Sequence, residues 1–173
     1  SNGGHMAYRM GLEAPRVVAG IGAIGANLPV ASNLGCEPSS EAVATIIING
    51  SADPVNPYAG GLVEVSGNSS RGNVESSQDS ARYWARLAGH TGAGEQRAWP
   101  ERAADDGTRV ESTVWLAPGK QPVALISVIG GGHNLPHPVF RLPRILGPTS
   151  HEFDTAEVVW AFFDGQPFVP DGG

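Results

Sequence analysis

A serine, an aspartate and a histidine can together carry out nucleophilic chemistry, and this chain offers them at Ser1, Asp53 and His133. Asp53 follows closely on the apolar run "TIIINGSAD", His133 follows "LISVIGGGH", and Ser1 stands directly before a helical stretch. Each type has its own task. A serine hydroxyl is a poor nucleophile at neutral pH and needs a base within hydrogen-bond reach. Histidine titrates near neutrality, so it can take that proton and return it to a leaving group. A carboxylate fixes the imidazole tautomer and stabilises the imidazolium that forms. Of the five histidines, His133 is the best base, because three glycines after a buried strand let the backbone turn sharply. His5 falls on the first helix, and His90 and His151 fall in polar segments.

Each of these residues also has a plainer reading. Gly4-His5-Met6 matches a common vector remnant, which would make Ser1 part of a scar. An N-terminal serine can also act with its own α-amine as base. Asp53 precedes Pro54, and Asp-Pro is a turn signal. Asp79 fits a helix start, and Asp105 and Asp106 fit a polar loop. His133 and His137 have a spacing used in metal sites, but Pro136 lies between them and no carboxylate is close in sequence, so no metal is expected. Trp84, Trp160, Phe162 and Phe163 read as helix-face core.

The elements that must position these residues follow from the hydrophobic pattern. Residues 3–13 read as a helix with Met6, Ala7 and Met10 on one face, ending before Pro15. "RVVAGIGAIGA", "AVATIIING" and "PVALISVI" read as buried strands, and "TRVESTVWL" as a half-exposed one. Residues 62–74 are Gly/Ser-rich and expected to be mobile, and residues 90–107 are expected to be loop. "SSQDSARYWARLAG" reads as a helix capped by Ser76 or Ser77 and closed at Gly89. "DTAEVVWAFF" reads as a helix capped by Asp154, with Glu157 three residues on. Apolar strands alternating with helices predict one α/β domain over 1–165 with a mainly parallel sheet, and a flexible tail over 166–173. Ligands of such sheets bind at the carboxyl ends of the strands, where Asp53 and His133 fall.

Composition narrows the partners. The 173 residues carry a net charge of −6, which argues against nucleic acid or an anionic membrane as partner. The longest apolar runs are strand-sized, and no signal peptide is visible. Cys36 is the single cysteine, so no intrachain disulfide forms; it reads as a buried apolar thiol or as the partner of a cysteine further upstream.

"SNGGHMAYRMGLEAP", "IINGSADPVNPYAGG", "ARYWARLAG", "DDGTRVESTVWL", "GGGHNLP" and "DTAEVVWAFF" together resemble the second half of the polyhydroxybutyrate-depolymerase-like esterases. These are α/β-hydrolases related to feruloyl and acetyl-xylan esterases. The resemblance implies a partial α/β-hydrolase fold whose N-terminal strands are missing. It places the nucleophile on Ser1, the acid on Asp53 and the base on His133, in the chain order Ser…Asp…His of that fold. It gives one oxyanion-hole donor, the amide of Asn2. It further implies an ester or polyester substrate, no cofactor, and secretion or a periplasmic location. Ser1-Asn2-Gly3 matches only the second half of the family's G-x-S-x-G motif. The first glycine, the strand before it and the loop with the second oxyanion donor have no counterpart, and Leu135 stands where the family carries an aromatic residue. A missing strand would leave an exposed sheet edge. The rival expectation is therefore a non-catalytic or weakly active half-domain that pairs with a copy of itself or with a missing N-terminal segment.

Overall fold

The computed structural model describes residues 1–65 and 67–170. Its architecture is α/β: five strands form one sheet and three helices flank it. The helices are α1 (Asn2–Glu13), α2 (Ser77–Leu87) and α3 (Thr155–Phe163). The strands are β1 (Gly20–Ile24), β2 (Ala44–Gly50), β5 (Glu95–Ala98), β6 (Arg109–Trp115) and β7 (Val123–Ile129); β3 (Gly61–Leu62) and β4 (Asn73–Val74) form a separate two-stranded ribbon.

The sheet order is β1-β2-β7-β6-β5. β1, β2 and β7 run parallel, whereas β6 pairs antiparallel with both β7 and β5. The expected mainly parallel sheet is thus corrected to a mixed one. The turn 116–122 is too short for a crossover, so β6 and β7 close as a hairpin. β5 corrects the expected 90–107 loop. Its four residues, Glu-Gln-Arg-Ala, are all exposed, so no apolar alternation announces it. Its charges suit an edge strand. The stretch 62–74 contributes β3, β4 and the buried Val63 and Val74; Ser66 lies outside the described residues.

The central strands are buried on both faces. Ile47 and Leu125 pack with Tyr8, Leu12, Ala81 and Trp84 of α1 and α2. Ile46, Ile48, Ala124 and Ile126 pack with Phe153, Val158 and Phe162 on the α3 side. α1 buries Gly4, Tyr8, Gly11 and Leu12, while of the expected Met6/Ala7/Met10 face Ala7 packs partly against this core and Met6 is exposed. A Cβ on Gly4 would lie 2.6 Å from that of Ala26, and one on Gly11 would lie 2.9 Å from Trp84. The glycines bring the helix onto the sheet, and Tyr8 stacks on Trp84 with centroids 6.1 Å apart. On α3 the buried row is Thr155, Val158 and Phe162. Trp160, expected in the core, lies on the opposite side and is 73% exposed. Phe168 and Val169, in the expected tail, pack against the α3-side core, with Phe168 edge-on to Phe162; residues 171–173 lie outside the described residues.

Candidate active site

β2 and β7 are parallel neighbours with Gly50 opposite Val128, so the loops leaving their carboxyl ends emerge side by side. These loops carry Asp53 and His133. They lie very close: a Cβ on Gly50 would collide with the carbonyl oxygens of Gly131 and Gly132. A Cβ on Gly132 would collide with the Leu146 carbonyl. Only Gly130 of the three glycines needs a left-handed backbone, at φ +79°; Gly131 and Gly132 are small because neighbours crowd them. Cross-loop bonds fix the approach: Ala52 N–H donates to the Gly131 carbonyl (2.9 Å), Gly130 N–H to Ser51 Oγ (2.8 Å), and His133 N–H to the Leu146 carbonyl (2.6 Å).

The result is a hydrogen bond of 2.7 Å between His133 Nδ1 and Asp53 Oδ2. The Asp53 side chain is fully buried and that of His133 is 13% exposed. Asp53 Oδ1 accepts two amides, from Val55 (2.7 Å) and Asn56 (2.8 Å). The turn reading and the site reading of Asp53 are therefore one arrangement: one oxygen holds the turn and the other holds the histidine. An oxygen that accepts requires the proton on His133 Nδ1, which leaves Nε2 as the lone-pair nitrogen.

Ser1 lies at the carboxyl end of β1, the strand beside β2. Its nitrogen donates to the Ile24 carbonyl. The next residue, Gly25, is left-handed at φ +59°. A Cβ there would lie 3.1 Å from His133 Cε1 and 3.6 Å from the Ser1 nitrogen. The Ser1 backbone and the His133 ring thus both lie beside Gly25, with no hydrogen bond joining Ser1 and His133 in this structure. The Ser1 side chain does not cap the helix that follows it. Because α1 begins at Asn2, the Asn2 amide has no acceptor within the helix and sits at its positive end.

A buried polar cluster supports the site, and sequence reasoning missed it. The Asn49 Nδ2 group donates to Asn27 Oδ1 (2.7 Å), Ser77 Oγ (2.9 Å) and the Ala26 carbonyl (3.2 Å), while Asn49 Oδ1 accepts from Ala26 N–H (3.1 Å). Asn27 N–H donates to Asn56 Oδ1, and Asn27 Nδ2 to the Pro57 carbonyl. The cluster ties the ends of β1 and β2 and the start of α2 to the loop that carries Asp53. Ser76, not Ser77, caps α2, accepting from Asp79 N–H at 2.9 Å; Ser77 serves the cluster. The only signal was the polar Asn49 closing an otherwise apolar strand.

His137 does not join His133. Its Nε2 lies 3.2 Å from Asp154 Oδ2, while Asp154 Oδ1 caps α3. Among the described residues no group of three His, Cys, Asp or Glu is arranged to hold a metal ion. His5, in contrast, sits near the site. Burial holds its pKa below the ordinary value, helped by the positive charge of Arg71, while the Asn27 carbonyl pulls the other way.

No family model matches the chain. Over 177 aligned positions it is 27% identical to "Putative esterase NocK" of Nocardia uniformis subsp. tsuyamanensis. The alignment covers 95% of this chain and 49% of that protein, so the chain spans about half the length of the curated relative it matches.

Proposed function

We propose that this chain carries the catalytic centre of a serine esterase with Ser1 as nucleophile, His133 as general base and acid, and Asp53 as its orienting carboxylate. The observation that carries this reading is the buried Asp53–His133 bond, whose imidazole lies beside Gly25, as does the Ser1 nitrogen. The similarity to an esterase over 95% of the chain supports it.

In this mechanism Ser1 Oγ bonds to the ester carbonyl carbon as His133 Nε2 takes the hydroxyl proton. The oxyanion forms beside the Asn2 amide at the helix N-terminus. The C–O bond to the alcohol then breaks, and the leaving oxygen takes the proton from His133. Water attacks the acyl-enzyme, again losing its proton to His133. The Ser1–carbon bond breaks, the acid departs and Ser1 regains its proton. Asp53, held by its two amides, keeps the imidazole oriented throughout. Short-chain esters, hydroxyalkanoate polyesters and feruloylated or acetylated sugars are the substrate classes, and the protein works as a secreted or periplasmic enzyme. Turnover of a short-chain 4-nitrophenyl ester tests the assignment: Ser1→Ala and His133→Ala must each abolish it, and undiminished activity in both sinks the triad.

A second reading keeps the fold without turnover. β1 forms one edge of the sheet, and an edge strand can pair with another chain. In this reading the domain pairs through β1 with a second copy. Sedimentation of a dimer without Ser1-dependent turnover would favour it.

A further inference from the structure

Beside Ser1 a cavity of about 360 Å³ opens between the first turns of α1 and the β3–β4 ribbon. It begins at Asn2, and Met6, Leu34 and Val74 give it apolar walls. The protein carries a net charge of −6, yet no Asp or Glu lines this cavity, and two arginines do. Arg9 is neutralised by Glu13, 2.8 Å away. Arg71 has no ion-pair partner among the described residues.

The backbone that presents Arg71 is fixed. Asn33 Nδ2 donates to the Arg71 carbonyl (3.3 Å) and the Asn73 carbonyl (3.4 Å). Gly72 lies so close to Asn33 that any Cβ would collide with it. His5 also lines the cavity, and its depressed pKa leaves the ring neutral near pH 7, so Arg71 is the unpaired cation there. A guanidinium without a carboxylate, above apolar walls and beside a nucleophile, suits one ligand chemistry: a short apolar chain that ends in a carboxylate.

We propose that this cavity binds a carboxylate carried by the ester substrate, with Arg71 as the specificity residue that recognises it. This rests on the esterase reading of Ser1. The substrates are then esters that bear a free carboxylate a few bonds from the ester carbonyl or on the alcohol.

Cys36, the single cysteine, lines the same cavity and reports occupancy without any turnover. Glutarate should slow its alkylation by iodoacetamide, and Arg71→Gln should require about tenfold more glutarate for equal protection. No protection, or equal protection in both proteins, overturns the proposal. Turnover supplies the second arm. The kcat/KM ratio of 4-nitrophenyl hemiglutarate over 4-nitrophenyl valerate reads a charge on the acyl side. The ratio of 4-acetoxybenzoate over its methyl ester reads a charge on the alcohol side. Arg71→Gln should lower one of the two ratios about tenfold; both unchanged overturns the substrate assignment while leaving the esterase reading intact. Turnover that survives Ser1→Ala overturns the esterase reading instead, and the Cys36 protection still decides the carboxylate site.

Discussion

Asp53 Oδ2 and His133 Nδ1 lie 2.7 Å apart across 80 residues of sequence, because their strands are parallel neighbours whose carboxyl ends coincide. The other carboxylate oxygen is held by two amides, so the acid does not rotate away from the ring. Asp53→Asn keeps the shape and the turn but removes the charge and no longer fixes the proton on Nδ1. Turnover of a short-chain ester should fall by about 10³- to 10⁴-fold in kcat with KM little changed. Steady-state kinetics check this; a loss below tenfold would mean that Asp53 only holds the turn.

The two loops meet closely because Gly50 has no side chain. Gly50→Ala meets backbone oxygens, which cannot rotate away, so it should destabilise by about 3 kcal/mol, at the upper end of overpacking costs. It should also abolish turnover by parting Asp53 from His133. Gly92→Ala is the control, with open space and an ordinary φ, and it should change stability by less than about 0.5 kcal/mol. Urea unfolding of both proteins measures the contrast.

Much of this arrangement was legible in the sequence, and the parts that were not share a cause. β2 and β7 announce themselves as apolar runs, and Asp53 and His133 follow directly on them. The caps of α2 and α3 are set by local chemistry at Ser76 and Asp154. The docking face of α1 was misread because two of its four buried residues are glycines, which contribute closeness and little hydrophobicity. β5 was missed because its pairing is made by backbone alone, under exposed side chains. The direction of β6 depends on a short connection, which an element count does not see. The cluster around Asn49 was hidden because its partners Asn27, Asn56 and Ser77 are brought together only by the fold.

That cluster gives the next prediction. Asn49→Ala leaves the Ala26 amide without its partner and takes one bond each from Asn27 Oδ1 and Ser77 Oγ, which keep the 2.8 Å bond that Ser77 Oγ donates to Asn27 Oδ1, in a site that is almost fully buried. An unpaired buried group costs about 1–3 kcal/mol, and the two weakened neighbours add to it. A net loss of about 3 kcal/mol is expected, as a lower urea midpoint with an unchanged slope. Asn49→Asp keeps the acceptor to Ala26 but brings a carboxylate against Asn27 Oδ1, so it should be no better than alanine.

His5 makes the fold acid-sensitive. Its Nε2 is buried without a hydrogen-bond partner. Its pKa lies below the ordinary histidine value of about 6.5, first through burial, then through Arg71 and His133, with the Asn27 carbonyl opposing. A depressed folded pKa means that the unfolded chain binds more protons once the pH falls below about 6.5. Stability is then fully present above that pH and is lost progressively as the pH drops toward the folded value. His5→Met removes both the proton site and the orphaned nitrogen. It should stabilise the protein by about 1 kcal/mol at pH 7.5. It should also flatten the fall in urea midpoint between pH 6.5 and 5, with the remaining slope left to the carboxylates. A variant whose midpoint fell as steeply as that of the parent chain would show that His5 titrates in the folded protein as it does in the unfolded one.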